Sequence, residues 1–322
     1  LPVRRVVVAG RWDGARPLLP TGVALEQIGR GLRAGGDGLD VVLLPFGSGP
    51  TFDEAVAACR SQASFVRVPT EASSTRQAGE RVAAALGEPR VVVEGGHGAS
   101  PDCGLGFLAG LLGVAESDVS GEGLGPALTR AEDMLGASGT DLVCAASTPR
   151  PLLGFDSVLA VAPDLNPIEE QDTSLTGNLM QAFAHRPLGR RLLLEDSQAH
   201  PGRMWGSGAG GGVGAVIAAI GGRIVGTGEV LADLTRLGAA LTPADLVIVV
   251  EPELSSPLLA QSTMDTITNA AAELALPVVA VTVRSSLSRY ERAQWGLHGV
   301  FETEARITLE EAGRRIARTW LR

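Results

Sequence analysis

Short runs of β-branched residues, each leading into a glycine- or proline-bearing loop and then a helix-patterned stretch, constrain this chain most. Val6-Val7-Val8-Ala9 ends at Gly10, residues 40–44 end in Pro45-Phe46-Gly47-Ser48-Gly49-Pro50-Thr51, and residues 90–94 run into Gly95-Gly96-His97. Residues 64–68, 141–145, 157–162, 246–250, 278–283 and 300–301 read as further strands. Unbroken apolar runs suit strands covered on both faces. Their alternation with helices predicts an α/β fold with a mostly parallel, flavodoxin- or Rossmann-like sheet. Ligands in such sheets sit at the carboxyl ends of strands, where these loops lie. Helices are expected over residues 21–32 (Thr21 as cap; Val23, Ile28 and Leu32 inward), 51–59 (Thr51 as cap), 75–86, 105–112, 230–237, 258–274 and 308–321. Residues 163–180 are polar with turn signals, and Leu192-Leu193-Leu194 fits a strand or a helix.

A second feature is Trp205-Gly206-Ser207-Gly208-Ala209-Gly210-Gly211-Gly212-Val213-Gly214, in which six of ten residues are glycine. The apolar run 215–220 after it reads as a buried helix. A glycine-rich turn feeding a helix can present backbone N–H groups to an anion. The other reading is a flexible link or tight packing. The spacing is not that of a P-loop, and no Lys-Ser or Lys-Thr pair follows.

Composition bounds the chemistry. With 322 residues, 45% of them hydrophobic, the chain can bury the cores of two domains or of one large α/β domain. A net charge of −9 argues against a nucleic-acid partner. All 27 basic residues are arginine, so no lysine can serve as phosphate ligand or nucleophile. Cys59, Cys103 and Cys144 lie far apart without metal spacing, which fits a reducing cytoplasm. The apolar runs are too short to span a bilayer, and the run after Arg4-Arg5 is too short for a signal peptide. No feature indicates an oligomeric state.

Four regions, in order, resemble the bacterial glycerate kinase family, α/β enzymes unrelated to P-loop kinases. Ile28-Gly29-Arg30-Gly31-Leu32 is similar to the helix end that follows the family's opening Asp-Ser-Phe-Lys-Gly loop. Counting back puts Asp13 at the family aspartate and Arg16 at its lysine. Residues 90–113 resemble the family's strand, Gly-Gly, Asp-bearing loop and helix, with Asp102 at the aspartate. Residues 206–219 are similar to its glycine-rich stretch. Ala244-Asp245-Leu246-Val247-Ile248 matches the family's closing strand and puts Glu251 at its glutamate. Asp164-Leu165-Asn166-Pro167 is a weaker match. The chain departs from the pattern in its functional loops. Residues 45–51 lack two acids, Glu253, Ser255 and Ser262 stand where Arg, Asp and Lys are expected, and a stretch near residue 70 is shortened.

The resemblance implies two domains, residues 1–67 plus 205–322 and an inserted 68–204. It implies ATP-dependent, Mg²⁺-assisted phosphorylation of glycerate or a similar small hydroxy acid. Asp13 would orient or deprotonate the hydroxyl, or help hold Mg²⁺. Arg16 would bind the acid's carboxylate or a phosphate, and Asp102 would act as base or metal ligand. Glu251 would contact metal or ribose, and the backbone of Gly206, Gly208, Gly210, Gly211, Gly212 and Gly214 would face phosphates. The plain alternatives are a turn at Asp13, a helix cap at Asp102 and a solvated strand end at Glu251. His97 and Cys103 receive no catalytic role. Because the departures fall on functional loops, a catalytically degenerate binding or interaction module is the competing expectation.

Overall fold

Arg4–Gly10 forms β1 and is followed by α1 (Thr21–Gly35), β2 (Leu39–Pro45) and α2 (Pro50–Ala58). Next come β3 (Ser64–Val68), α3 (Arg76–Ala85), β4 (Arg90–Gly95), α4 (Leu105–Leu112), α5 (Leu124–Ser138), β5 (Asp141–Ala146) and α6 (Thr173–Ala184). The glycine stretch precedes α7 (Val213–Ala219), β6 (Arg223–Gly226), α8 (Thr227–Thr235) and α9 (Leu237–Leu241). The chain closes through β7 (Leu246–Val250), β8 (Glu253–Leu254), α10 (Met264–Glu273), β9 (Val278–Thr282), β10 (Arg284–Ser285), α11 (Arg289–Gln294), β11 (Gly299–Glu302) and α12 (Leu309–Trp320). This computed structural model describes residues 4–59, 61–68, 74–96, 100–160, 173–184, 186, 200–256, 263–304 and 307–321. His97, residues 164–167, Leu192-Leu193-Leu194 and Ser262 lie outside them.

The chain divides into two units, Leu1–Arg60 with Gly228–Arg322, and Ser61–Thr227. Residues 61–67 and 205–227, expected in the first domain, fall in the second unit. The reason is pairing: β3 adds to β4, and β6 adds to β5.

The first unit holds a five-stranded sheet in the order β11-β9-β7-β1-β2, every pair parallel. Counted within the sheet this is the flavodoxin-like 2-1-3-4-5, whose switch point lies between β1 and β7. Val6 and Val8 of β1 and Ile248 and Val250 of β7 join Leu25, Ile28 and Leu32 of α1 and Ile316 of α12 in one core. Each such fully buried side chain contributes about 1.5–3 kcal/mol. Helices α1 and α12 touch backbone to backbone. A Cβ on Gly31 would meet the Glu310 carbonyl oxygen at 1.9 Å, and one on Gly313 would meet that of Ile28 at 2.2 Å. Val23, expected inward, is 45% exposed; the helix turns its 25/28/32 stripe to the core instead.

The second unit holds a four-stranded parallel sheet, β3-β4-β5-β6. Its core takes Val91 and Val93 from β4, Leu142 and Cys144 from β5, and apolar residues of α3, α4, α5 and α7. Residues 157–160, expected in a strand, form turns, and residues 173–180, read as polar with turn signals, lie in helix α6. Helix α5 had no counterpart among the expected elements.

Three strands of this sheet are tied at one end by Asp141. Its Oδ1 and Oδ2 accept from Arg223 Nε and Nη2, both at 2.8 Å, and Oδ2 also accepts from Arg90 Nε at 2.8 Å. The Arg223 hydrogen bond, then that of Arg90, hold the Asp141 carboxyl below its ordinary value against partial desolvation. A depressed carboxyl stabilises the fold above the unfolded-state value of about 3.9, and that stabilisation is lost as pH falls through the lower folded value. Solvent screening keeps the effect small. Asp141→Asn should therefore lower the urea midpoint modestly at pH 7, and the difference from wild type should vanish in strong acid. An unchanged midpoint at pH 7 would show the cluster to be energetically silent.

Candidate active site

Gly10 closes β1 at φ +144°, where a Cβ would meet the Val250 carbonyl oxygen at 2.0 Å. Only glycine lets the ends of β1 and β7 come this close. Arg11 N–H then donates to Val250 O at 2.8 Å. The Arg11 side chain donates through Nε to Glu251 Oε2 at 2.9 Å. Glu251, at the end of β7 as expected, is 2% exposed, whereas Arg11 is 26% exposed. A buried carboxylate of this kind needs a paired cation, and Arg11 supplies it at the switch point of the sheet.

Trp12 is fully buried, and its Nε1 donates to Pro17 O at 3.1 Å. The next residue, Asp13, is half-buried. Trp12 N–H donates to Thr21 Oγ1 at 2.9 Å, Thr21 and Thr51 hydroxyls lie 2.6 Å apart, and Thr51 Oγ1 donates to Asp13 Oδ2. Because the Thr51 proton goes to Asp13, the Thr21 proton must go to Thr51. Both threonines are completely buried. Thr51, expected to cap α2, lies inside its first turn instead, and Gly49 takes the N-cap. The first amides of α1 are met by Glu54, whose carboxylate accepts from Thr21 N at 2.9 Å and Gly22 N at 2.6 Å. That satisfies orphan donors and complements the helix dipole. Arg16 is exposed.

In the second unit Asp102 is surrounded by donors. Thr75 N (2.7 Å), Thr75 Oγ1 (3.0 Å) and Ser74 Oγ (3.1 Å) give to Oδ2, and Ser100 Oγ and Gly104 N (both 2.9 Å) give to Oδ1. A carboxylate has about four lone-pair positions, and these donors fill them. Asp102 thus clasps the start of α3 to the turn before α4. The base and metal-ligand role expected at this position stands beside this structural one.

The glycine stretch likewise faces protein. Every residue from Gly206 to Gly214 is buried. Gly211 and Gly212 hold φ of +66° and +109°; a Cβ would meet Ser100 Cβ at 2.4 Å on the first and Cys103 O at 2.4 Å on the second. A Cβ on Gly210 would meet the Val213 side chain, on Gly206 Ala146 and Ile224, on Gly208 Val158, and on Gly214 the Gly206 carbonyl. Helix α7 behind them has seven residues. The stretch, expected to face phosphate, packs closely against the end of β4 and residues 100–104.

Among the described residues no group of three or more His, Cys, Asp or Glu side chains is placed to hold a metal ion. Burial pushes the Cys144 thiol up to about 12, with the Glu94 carboxylate adding to it, so this cysteine is no nucleophile. No described helix is long and apolar enough to cross a membrane.

The chain matches the model of the glycerate kinase family over residues 57–322. It belongs to the glycerate kinase family. The crystal structure of "putative glycerate kinase 2" from Salmonella typhimurium LT2 is similar in fold, with a TM-score of 0.64 and 21% identity over 98% of this chain and 96% of that one. No curated protein matches in sequence. The family match includes Asp102, the glycine stretch and Glu251, whereas Asp13 and Arg16 precede it. Motif reading named Asp13 and Glu251, took Thr51 only as a helix cap, and did not single out Arg11 or Glu54. The signal for Arg11 was slight, a charged residue directly after a strand-ending glycine.

Proposed function

We propose that this member of the glycerate kinase family transfers the γ-phosphoryl group of ATP to a hydroxyl of glycerate or a similar small hydroxy acid. The observation that carries the reading is Asp13. It stands just past β1 at the switch point of the first sheet, with Oδ2 fixed by Thr51 and Oδ1 without a bond among the described residues. A carboxylate so held can take the proton of a substrate hydroxyl as its oxygen bonds to phosphorus and the bond to the β-phosphate oxygen breaks. Phosphoryl transfer asks for such positioning and for charge neutralisation. Mg²⁺ with ATP, which the family implies, supplies the phosphoryl group and spreads its charge. An ion held mainly by nucleotide phosphates needs only one or two protein carboxylates; Asp13 can supply one of these only in place of taking the proton, and Glu251 and Asp102 are engaged by arginine and by backbone and hydroxyl donors. The test is incubation of purified protein with ATP, Mg²⁺ and D-glycerate, read by phosphorus NMR for phosphoglycerate and ADP. Product dependent on both ATP and glycerate is the expected result. No product at millimolar substrates, with no ATP binding by calorimetry, overturns the reading.

A further inference from the structure

Arg11 is the feature of the first unit that the family pattern leaves unassigned. We infer that Arg11, held in place by Glu251, is the residue that binds the substrate carboxylate, in place of Arg16. The inference rests on the proposed kinase reading for the identity of the acid. Its grounds are geometric.

Glu251 is almost wholly buried and takes the Nε edge of the guanidinium at 2.9 Å. The Nη1 and Nη2 atoms make no bond among the described residues, and the side chain keeps partial exposure. A guanidinium fixed along one edge presents the other as a two-donor fork, which matches the two oxygens of a carboxylate. Arg16, by contrast, is exposed and makes no bond among the described residues; ordering it on a ligand would cost all of its rotamer freedom. Arg11 and Asp13 flank the buried Trp12, both partly exposed at the end of β1. A hydroxy acid carries an anion and a hydroxyl on neighbouring carbons. Arg11 offers donors to the first and Asp13 an acceptor to the second. Glu251 is then a positioning residue, acting through Arg11.

The test is direct binding by calorimetry, D-glycerate alone and ATP alone, to wild type and Arg11→Gln, with folding checked by circular dichroism. Loss of a charge-assisted pair weakens glycerate binding on the order of 10–100-fold and leaves ATP binding unchanged. Arg11→Gln leaves Glu251 buried without its cation, so the double variant Arg11→Gln/Glu251→Gln serves if the single one does not fold. Glu251→Gln, which keeps the cation but loosens its hold, should fall between wild type and Arg11→Gln. In turnover, KM for glycerate rises while KM for ATP holds. Unchanged glycerate affinity in Arg11→Gln overturns the inference and leaves the kinase reading standing; weakened ATP affinity instead overturns it in favour of a phosphate contact. A wild type that binds glycerate through Arg11 but forms no phosphoglycerate sinks the kinase reading alone. A wild type that binds no glycerate sinks both.

Discussion

Asp13→Asn should lower kcat for phosphoglycerate formation by about 10²–10⁴-fold, the range lost when a positioned proton acceptor is removed, with the fold intact. The carboxamide of that variant can still accept a hydrogen bond from Thr51 but cannot take a proton. The buried hydroxyls behind it make a sharper test. The proton order from Trp12 N–H through Thr21 and Thr51 to Asp13 is fixed by the carboxylate at its end, which takes the Thr51 proton and leaves Thr21 to donate to Thr51. Thr51→Val keeps the volume and deletes the last hydroxyl, which releases Asp13 Oδ2; a loss of roughly 10-fold in kcat follows from one charged hydrogen bond. Thr51→Ser restores the hydroxyl and should restore most of the rate. If Thr51 acts only through Asp13, then adding Thr51→Val to Asp13→Asn costs nothing further, a non-additivity that a double-mutant cycle measures directly. Full additivity, or equal losses in Thr51→Val and Thr51→Ser, would show that Thr51 serves packing and that the hydroxyl chain has no part in turnover.

The parts of this fold that could be read from sequence are those in which local chemistry and tertiary placement agree. The run Leu246 to Val250 is apolar at every position and is buried at every position, so the strand and the site of Glu251 at its end follow from the run alone. Pairing over long separations is different. Arg11 and Glu251 are 240 residues apart, and nothing around either names the other. Counting back from the helix end located Asp13, but Thr51 reads locally as a cap, and only the approach of α2 to the start of α1 makes it the partner of Asp13. Thr51 and Glu54 serve two different needs of that junction from one face of α2, which no single-helix rule would show. The glycine stretch admits two readings from sequence. Six glycines fit a phosphate turn and a tightly packed corner equally well, and what decides is the neighbours, here Ser100 and Cys103. Residues 173–184 carry turn signals such as Thr176-Gly177 yet are helical, since tertiary packing of Leu179 and Phe183 into the core of the second unit outweighs local preference.

Asp102→Ala offers the second large effect, and it is one of stability. Four donors lose their acceptor at once, among them the amides of Thr75 and Gly104, which lie at the starts of α3 and α4, while Ser74 Oγ keeps Glu116 Oε1 at 3.2 Å. Hydrogen bonds to a charged partner contribute about 1.5–3 kcal/mol each, and water can reach a half-buried site to replace some of them, so a net cost of about 3 kcal/mol is expected. For a unit of this size that corresponds to a fall in Tm of about 10 °C. Asp102→Asn should share much of the loss, because its NH₂ group must face a donor, Thr75 N–H on one side or Ser100 O–H on the other. The distinction from a catalytic role lies in the rate of the surviving folded protein. A clasp predicts kcat near wild type when assayed well below the lowered Tm; a base or metal ligand predicts a deep loss of kcat at unchanged Tm. Gly211→Ala supplies an independent check on the same corner, since its Cβ would strike Ser100, the residue whose hydroxyl donates to Asp102. If Asp102 and Gly211 belong to one packed junction, the two variants should destabilise together and their double variant by less than the sum. A stable Gly211→Ala with lost ATP affinity would instead return the glycine stretch to phosphate binding.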